Sequence, residues 1–429
     1  MNSIKYRANL ALRSLRGKGA LDILGGSFLM KGAAFLGSIV LVKVMSKDDY
    51  GVLGYMENLY TYAYLFAGLG LNNAVFRYAV LKEDAEEKAG VIRFVLRAGT
   101  AFNVLYFLLL CIAARVFPHR AAFAVASSLL PIMLLGIPLQ FMFDTGTYSL
   151  RALFQNRAYA LFAVAAVSCI WISKIAGSSI AGLSGTVLTW PLTYGLLSFL
   201  VLAYVFRRCL GGVKPMSPAS GLKKEMLGFS LQYMVTNGLW AMFLQNDLLL
   251  IGMLLGDASS VATYKVAYAI PAAMSIFSNS IGMFVAPYFV RNESNQEWVW
   301  RNYRRVLGLS ILGLGALTAV IALICQPVVS LLYGDQYLDA VSVMRILLLA
   351  VLISNAIRYT ASNLLAAMGK VQVNLVVSAI GMVLQIVLDF LLIPSWGIEG
   401  CAWGSVIVYT LMAIAVTCYF IWRYRPASH

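Results

Sequence analysis

Residues 23–42 read Ile-Leu-Gly-Gly-Ser-Phe-Leu-Met-Lys-Gly-Ala-Ala-Phe-Leu-Gly-Ser-Ile-Val-Leu-Val. In an α-helix this stretch spans about 30 Å, which is the thickness of the hydrocarbon core of a bilayer. Its only charge is Lys31, close to the midpoint. A charge at that depth costs about 3 kcal/mol on insertion scales, so it is expected to face a bundle interior or an aqueous cavity. The stretch predicts a membrane-spanning first helix that carries a candidate functional residue.

The composition of the whole chain agrees with a membrane protein. Hydrophobic residues make up 61% of the chain and charged residues 12%, and the mean hydropathy is +0.79. These values lie outside ordinary globular usage. The first apolar stretch is too long for the apolar region of a signal peptide and lacks a small-residue cleavage site, so we expect it to be retained. The six cysteines have no metal-ligand spacing and are interpreted as packing residues.

Apolar runs between charged or turn-rich breaks predict an all-α membrane protein with twelve transmembrane helices. The predicted helices are residues 23–42, 51–76, 91–114, 123–152, 157–173, 179–206, 227–254, 261–289, 306–331, 341–366, 371–393 and 401–422.

The placement of lysine and arginine predicts the orientation of these helices. By this assignment 23 of the 33 basic residues lie at the two termini or in the connections after even-numbered helices, and 5 lie in the other connections. Cytoplasmic loops are the ones enriched in Lys and Arg, so both termini are predicted to be cytoplasmic. The net charge of +15 is therefore a topology signal, with some attraction to anionic membrane lipids. It is not evidence for nucleic acid.

A polar segment rich in Gly, Pro, Ser and Lys, residues 207–225, divides the helices six and six. We predict an N-terminal lobe over residues 1–206, a cytoplasmic linker over 207–225 and a C-terminal lobe over 226–429. Short similar turns recur at an offset of roughly half the chain length, which favours an internal repeat. Six helices repeated in the same orientation imply two lobes related by a pseudo-twofold axis along the membrane normal.

Several charges fall at membrane depth or at its edge, where they are costly unless paired or hydrated. The cations form one interpretation, a positively charged cavity for an anionic headgroup. The candidate substrate-binding residues are Lys31, Lys265, Arg358, Arg77 and Arg345. The other interpretation is structural: Lys31 would pair with Glu57, Asp247 would pair with Lys265, and Arg345 would extend to the membrane surface.

Asp144 and Arg358 occupy positions related by the repeat offset, so the two halves would present opposite charges at equivalent places. We predict that they face each other across a cytoplasmic gate.

A second set of polar residues lies mainly in the second half. Gln385 and Asp389 are four residues apart and share a helix face. Ser405 and Asp247 offer further oxygen atoms. Carboxylate, amide and hydroxyl oxygens are the ligands that hard cations prefer. This set predicts a site for a sodium ion or a proton, with a polar contact between helices as the alternative.

Signatures of soluble enzyme chemistry are absent from the sequence. The chain has no GxxxxGK[ST], HExxH or GxSxG motif, and only two histidines. We therefore predict no catalytic residue and no organic cofactor.

Several stretches resemble polysaccharide-export flippases of the Wzx type, in the multidrug/oligosaccharidyl-lipid/polysaccharide exporter superfamily. One is residues 41–53, Leu-Val-Lys-Val-Met-Ser-Lys-Asp-Asp-Tyr-Gly-Val-Leu, and another is residues 397–405, Gly-Ile-Glu-Gly-Cys-Ala-Trp-Gly-Ser. Further stretches with this resemblance are residues 69–77, 246–253, 262–268, 333–340 and 364–370.

This resemblance implies two six-helix lobes in a V shape around a cationic cavity. Lys31 resembles an arginine in the cavity of the related lipid II flippases, with lysine in its place. Asp247, Gln385, Asp389 and Ser405 resemble the sodium site of those flippases, with glutamine where asparagine is usual. Those relatives generally carry extra C-terminal helices, so the O-antigen or exopolysaccharide branch is favoured over peptidoglycan precursor.

The expected function is alternating-access transport of a polyprenyl-pyrophosphate-linked oligosaccharide across the inner membrane, coupled to an ion gradient. Other polysaccharide-assembly proteins are expected partners. One alternative is a multidrug or organic-cation antiporter of the same fold. Another is a membrane glycosyltransferase or polysaccharide polymerase.

Overall fold

The computed structural model describes residues 20–116 and 121–426, and within these ranges the regular structure is helical. The basic N-terminal residues used for the topology prediction, Lys5 to Lys18, lie outside the described residues. The helices of the first part of the chain are α1 (Ala20–Val44), α2 (Lys47–Tyr64), α3 (Leu71–Val80), α4 (Ala85–Val116), α5 (Ala124–Leu134), α6 (Gly136–Ala152) and α7 (Asn156–Tyr204). The remaining helices are α8 (Ser220–Leu255), α9 (Ala258–Ala273), α10 (Ser275–Arg291), α11 (Gln296–Tyr333), α12 (Ala340–Leu352), α13 (Tyr359–Ala367) and α14 (Val371–Tyr424).

Polar side chains mark the beginnings of several helices. Ser46 precedes α2 and accepts a hydrogen bond from the backbone N–H of Asp49 at 3.1 Å. Asp257 precedes α9 and accepts from the backbone N–H of Ser260 at 2.8 Å. Such caps satisfy N–H groups that the first turn of a helix leaves without a partner.

The two longest helices are each broken by a glycine in a conformation that other residues rarely adopt. Gly182 in α7 has φ 57° and ψ −136°, and Gly397 in α14 has φ 61° and ψ −143°. Each break lets the two halves of the helix fold back on each other: the backbones meet closely at Gly177 and Gly185 in α7, and at Gly400 and Leu392 in α14. Glycine suits such positions because it has no Cβ.

The break in α14 falls in the predicted gap between residues 393 and 401. The predicted end of the fifth helix at residue 173 is wrong, because the first half of α7 stays helical until the break at Ala181 and Gly182. The gap predicted between residues 173 and 179 contains Lys174, whose side chain instead forms an ion pair with Glu57 of the same unit.

Six helical segments of the described residues are long and apolar enough to cross a membrane. They are Ala85–Val116, Ala121–Ala152, Asn156–Cys209, Gln296–Tyr333, Ala340–Ala367 and Val371–Tyr424. The chain is therefore a multi-pass membrane protein. The count of twelve crossings stays a prediction, as do the internal pseudo-twofold axis and the cytoplasmic position of the termini.

The chain divides into two compact units, Met1–Met242 and Phe243–His429. The boundary lies inside α8, beyond the linker proposed over residues 207–225. Part of that linker packs against the first unit: the backbone N–H of Met216 donates to the carbonyl of Glu86 at 3.0 Å. In the first unit, Phe141 is fully buried in a cluster that joins α3, α4, α6 and α7. In the second, Tyr303 stacks on Phe420, with ring centroids 4.0 Å apart.

Candidate functional site

Lys31 lies on an exposed part of α1, in the first unit. Helix α1 packs on α7 through Gly37, where a Cβ atom would lie 2.5 Å from Cγ of Trp171. Lys31 points away from this contact and shares its face with Ala34 and Ser38, at i+3 and i+7. Within the described residues Lys31 makes no ion pair or hydrogen bond.

A different face of α1 is strongly apolar. Leu29 is 63% exposed, Leu36 is 64% exposed, and Val40 lies on the same side. Such a surface suits acyl chains. The Lys31 face is distinct from both the α7 contact and this apolar surface, which is consistent with a wet environment for its ammonium group.

Glu57 on α2 forms an ion pair with Lys174 on α7. The Lys174 Nζ atom lies 2.7 Å from Glu57 Oε1, and the lysine side chain is 5% exposed. The pairing of Lys31 with Glu57 that the sequence suggested is therefore not formed. The predicted helices 157–173 and 179–206 leave Lys174 in a connection between them, and this prediction is wrong because the residue lies inside α7.

Two tryptophan rings complete the environment of Lys174. Its Nζ atom lies 4.0 Å from the ring centroid of Trp190 and 4.7 Å from that of Trp171. An ammonium group next to aromatic faces gains from the ring quadrupoles, most of all where water is excluded. The contacts describe a neutralised, buried cation that holds α2 against the two halves of α7.

Asp144 on α6 accepts a hydrogen bond from the hydroxyl of Tyr64 on α2. One turn earlier on each helix, the hydroxyl of Tyr60 donates to Oε1 of Gln140 at 2.8 Å. The rings of Tyr60 and Tyr64 are stacked, with centroids 6.1 Å apart. These two bonds form a polar seam between α2 and α6.

Arg358 belongs to a π-helical turn, Ile353–Arg358, between α12 and α13, and only 4% of the residue is exposed. One guanidinium nitrogen donates to the hydroxyl of Ser378 at 3.3 Å, and the group lies 5.0 Å from the ring centroid of Tyr359. Single π-helical turns inside α-helices occur often at functional sites. The gate between Arg358 and Asp144 stays a prediction.

The remaining candidate cations, Arg77, Arg345 and Lys265, lie on three different helices. Arg77 is exposed near the end of α3, with its guanidinium 4.5 Å from the ring centroid of Phe229. Arg345 is exposed on α12 and donates to the backbone carbonyl of Ala322 at 3.3 Å. Lys265 is half-buried on α9.

The second unit brings the four residues of the proposed ion site together. Oδ2 of Asp247 accepts hydrogen bonds from the hydroxyls of Tyr264 at 2.5 Å and Ser405 at 3.4 Å. These contacts take the place of the alternative pairing between Asp247 and Lys265. The amide nitrogen of Gln385 also lies 3.4 Å from the hydroxyl of Ser405.

Asp389 is fully buried in the same cluster. Its Oδ1 atom accepts from the amide nitrogen of Gln385 at 2.9 Å, and its Oδ2 atom accepts from that of Asn246 at 3.4 Å. A Cβ atom at Gly404 would lie 3.2 Å from Asp389 Oδ1, so the glycine leaves room beside the carboxylate. Helices α8, α9 and both halves of α14 supply these groups.

The donor set of this cluster fits a cation. Gln385 is 2% exposed, yet its Oε1 atom has no hydrogen-bond partner among the described residues. One carboxylate oxygen each from Asp247 and Asp389 and the sulfur of Cys401 lie within 4.8 Å of one another. A bound cation would offset part of the negative charge of the two carboxylates and use the free amide oxygen.

Sequence reasoning missed three members of this cluster: Asn246, Tyr264 and Cys401. The signal for Cys401 was its spacing, because it precedes Ser405 by four residues and so shares its helix face. Asn246 is adjacent to Asp247, and Tyr264 carries no sequence signal that distinguishes it from the other tyrosines of the chain.

Comparison with known proteins identifies the family. The polysaccharide biosynthesis protein family matches residues 17–293, which is more than half of the chain. The chain belongs to this family. A search of curated proteins finds no match.

Comparison with solved structures shows the fold of the chain. An inward-facing multidrug resistance transporter of the MATE family, in the MOP superfamily, aligns with a TM-score of 0.70 and 17% identity over 92% of this chain and 94% of that chain. The lipid II flippase MurJ in an inward closed conformation aligns with a TM-score of 0.73 and 14% identity over 92% of this chain and 87% of that one. A MOP superfamily transporter from Pyrococcus furiosus aligns at 0.58 and 17% identity, over 96% and 97%. The chain has the fold of these transporters.

Proposed function

We propose that the protein is a flippase that moves a polyprenyl-pyrophosphate-linked oligosaccharide outward across the inner membrane by alternating access. The observation that carries this proposal is membership of the polysaccharide biosynthesis family in a chain with a transporter fold. Lipid-linked repeat units of O-antigen or exopolysaccharide are the substrates that fit such a role. Other polysaccharide-assembly proteins would supply the substrate and consume it.

Lys31 is the proposed contact for the pyrophosphate. The residue is exposed on a face of α1 that differs from the apolar face, and among the described residues it has no carboxylate partner. Glu57, its main rival partner, is neutralised by Lys174. A lysine binds phosphate as a point charge, in contrast to the paired donors of an arginine.

Transport against a gradient requires an energy source, and the Asp247 and Asp389 cluster is the proposed coupling site. The fully buried carboxylate of Asp389, the half-buried carboxylate of Asp247 and the unused amide oxygen of Gln385 suit a sodium ion. Transport could instead be coupled to protons, in which case one of the two carboxylates would bind the proton. In either case, lowering the negative charge of the cluster would favour one arrangement of α8, α9 and α14 over another.

Reconstituted vesicles test the proposal directly. Purified protein is inserted into vesicles that hold a labelled polyprenyl-pyrophosphate oligosaccharide in one leaflet, and an enzyme outside modifies only substrate that arrives there. We expect protein-dependent transfer that stops when Lys31 is replaced by glutamate. Transfer that stays at the protein-free rate, with folded protein in the vesicles, would contradict the proposal.

The alternative functions make different predictions in the same vesicles. An antiporter for organic cations would catalyse uptake of a fluorescent cationic dye, and the likeness of fold to a MATE transporter makes this control necessary. A glycosyltransferase or polymerase would lengthen the oligosaccharide, which mass spectrometry would detect. We expect neither dye uptake nor new glycosidic bonds.

A further inference from the structure

The first unit contains a cavity of about 260 Å³ between α1, α6 and α7. Its polar lining comes from a carboxylate, a guanidinium, a threonine and three tyrosines. These residues are Asp144, Thr147, Tyr148, Arg151, Tyr159 and Tyr194. None of these residues belongs to the ion cluster, which is formed by residues of the second unit.

The cavity carries one charge of each sign. Asp144 and Arg151 are both on α6 and are seven residues apart, which places them two turns and roughly 10 Å apart along the helix axis. Asp144 is hydrogen-bonded by Tyr64. Neither charge forms an ion pair with the described residues. The two charges are therefore available to a ligand.

Arg151 is held by stacking, which leaves its N–H groups usable. Its guanidinium lies 4.7 Å from the ring centroid of Phe76 and 5.2 Å from that of Tyr159. A guanidinium stacked on aromatic rings still presents its edge, and that edge binds phosphate through two parallel hydrogen bonds. The predicted topology puts this end of α6 at the cytoplasmic side.

Size and chemistry limit the ligand. Typical pockets for drug-sized molecules are about 300–1,000 Å³, so a cavity of about 260 Å³ holds one ring with a small substituent rather than an oligosaccharide. The positive charge of Arg151 would repel an organic cation. A metal ion would find Asp144 as the one carboxylate in the lining, which is a poor donor set for a hard cation. The tyrosine rings and hydroxyls suit the faces and hydroxyl groups of a pyranose.

We propose that this cavity is a subsite for a glycosyl phosphate, with the sugar ring between Asp144 and the tyrosines and the phosphate on Arg151. The choice of ligand rests on the proposed flippase function, in which the sugar nearest to the pyrophosphate would occupy the cavity. Asp144 accepts hydrogen bonds from sugar hydroxyls, and Arg151 pairs with the phosphate. The subsite thus recognises the first sugar together with its phosphate.

Calorimetric titration of the purified protein in detergent tests the subsite. The probes are N-acetylglucosamine 1-phosphate and glucose 1-phosphate, with free N-acetylglucosamine and inorganic phosphate as the separate halves. We expect at least one sugar phosphate to bind about tenfold more tightly than either half. Asp144→Asn and Arg151→Gln should each weaken that binding about tenfold or more, which corresponds to the loss of one charged hydrogen-bond partner.

Arg157→Gln is the matched control, because Arg157 is an exposed cation near the start of α7 that does not line the cavity. It should leave binding unchanged. Arg151→Lys, which keeps the charge, should retain part of the affinity and so separates phosphate recognition from misfolding. Absence of binding by either sugar phosphate to folded protein would overturn the proposal. Inorganic phosphate that binds as tightly as the sugar phosphates would also overturn it.

The vesicle assay separates this inference from the proposed function. If the protein flips lipid-linked substrate but has no affinity for sugar phosphates, the subsite is refuted and the flippase function stands. If the protein binds sugar phosphates through Asp144 and Arg151 but flips no substrate, the subsite stands and the flippase function is refuted.

Discussion

Lys174 lies 2.7 Å from Glu57 and against the rings of Trp171 and Trp190, so a buried ion pair joins α2 to both halves of α7. Removing one partner of a buried pair leaves an uncompensated charge and costs about 3–5 kcal/mol. We expect Lys174→Met or Glu57→Gln to lower the thermal unfolding temperature of the purified protein markedly. The exchange variant, with glutamate at 174 and lysine at 57, should recover part of the loss. Single variants as stable as the wild type would mean that the pair contributes nothing.

Lys31 should affect transport without affecting stability. Its side chain is exposed and has no ion pair with the described residues, so Lys31→Ala should leave the unfolding temperature unchanged. Loss of one charged contact to phosphate is expected to reduce flipping roughly tenfold, and Lys31→Glu should reduce it further. Lys31→Arg should retain activity. Lys43→Ala, at an exposed lysine in the last turn of the same helix, is the control. Full transport by Lys31→Glu at normal protein level would refute the headgroup contact.

The effect of substituting Gly397, at the break in α14, should come from its backbone conformation alone. A Cβ atom at Gly397 would meet no atom within 4 Å, but the residue has φ 61° and ψ −143°. Strained conformations of this kind cost about 1–3 kcal/mol for residues with a side chain. Gly397→Ala should therefore destabilise the protein by that amount, as measured by thermal unfolding. Gly313→Ala, at a helical glycine with equal space, should be neutral or slightly stabilising. Equal effects of both substitutions would contradict this account.

The sequence predicted best where one local signal decides the structure. Long apolar runs predicted most of the helices, but the predicted helix 51–76 is wrong because a turn at Ala67–Gly70 divides it into α2 and α3. The polar gap after residue 393 predicted the break at Gly397. The prediction that Lys174 lies between two helices was wrong, because a lysine next to a serine in an apolar run is typical of a helix end. Its actual role depends on Glu57 and Trp190, which are distant in sequence, and local patterns carry no information about such contacts.

The two candidate sites differ in the same way. Four members of the ion cluster could be predicted because Gln385 and Asp389 share a helix face and because Asp247 and Ser405 offer further oxygen atoms within apolar helices. The resemblance to known flippases points to the same four residues. The cavity at Asp144 and Arg151 was not predicted. Its walls come from three helices, and its aromatic residues are indistinguishable in sequence from ordinary packing residues.

The proposed ion site predicts how transport depends on sodium. Asp389→Asn and Asp247→Asn each remove one of the two carboxylates of the cluster, so we expect both to abolish stimulation of flipping by a sodium gradient. Glu399→Gln, at an exposed carboxylate on the same helix as Asp389, should leave stimulation intact. Imposed pH gradients in sodium-free buffer distinguish proton coupling. Flipping that responds to neither gradient in the wild type would contradict ion coupling.

Cys401 gives the ion cluster a property that a purely oxygen-lined site lacks. Its sulfur lies within 4.8 Å of oxygen atoms of Asp247 and Asp389, and the residue is fully buried. Thiolate ligands favour soft metal ions, whereas sodium prefers oxygen. We expect Cd²⁺ at micromolar concentration to inhibit sodium-dependent flipping, and sodium at high concentration to relieve the inhibition. Cys401→Ser should preserve sodium dependence but lose sensitivity to Cd²⁺. Cys418→Ser, at an exposed cysteine of the same helix, should remain sensitive. Cadmium inhibition that survives Cys401→Ser would place the metal elsewhere, because the two carboxylates alone lack the soft ligand.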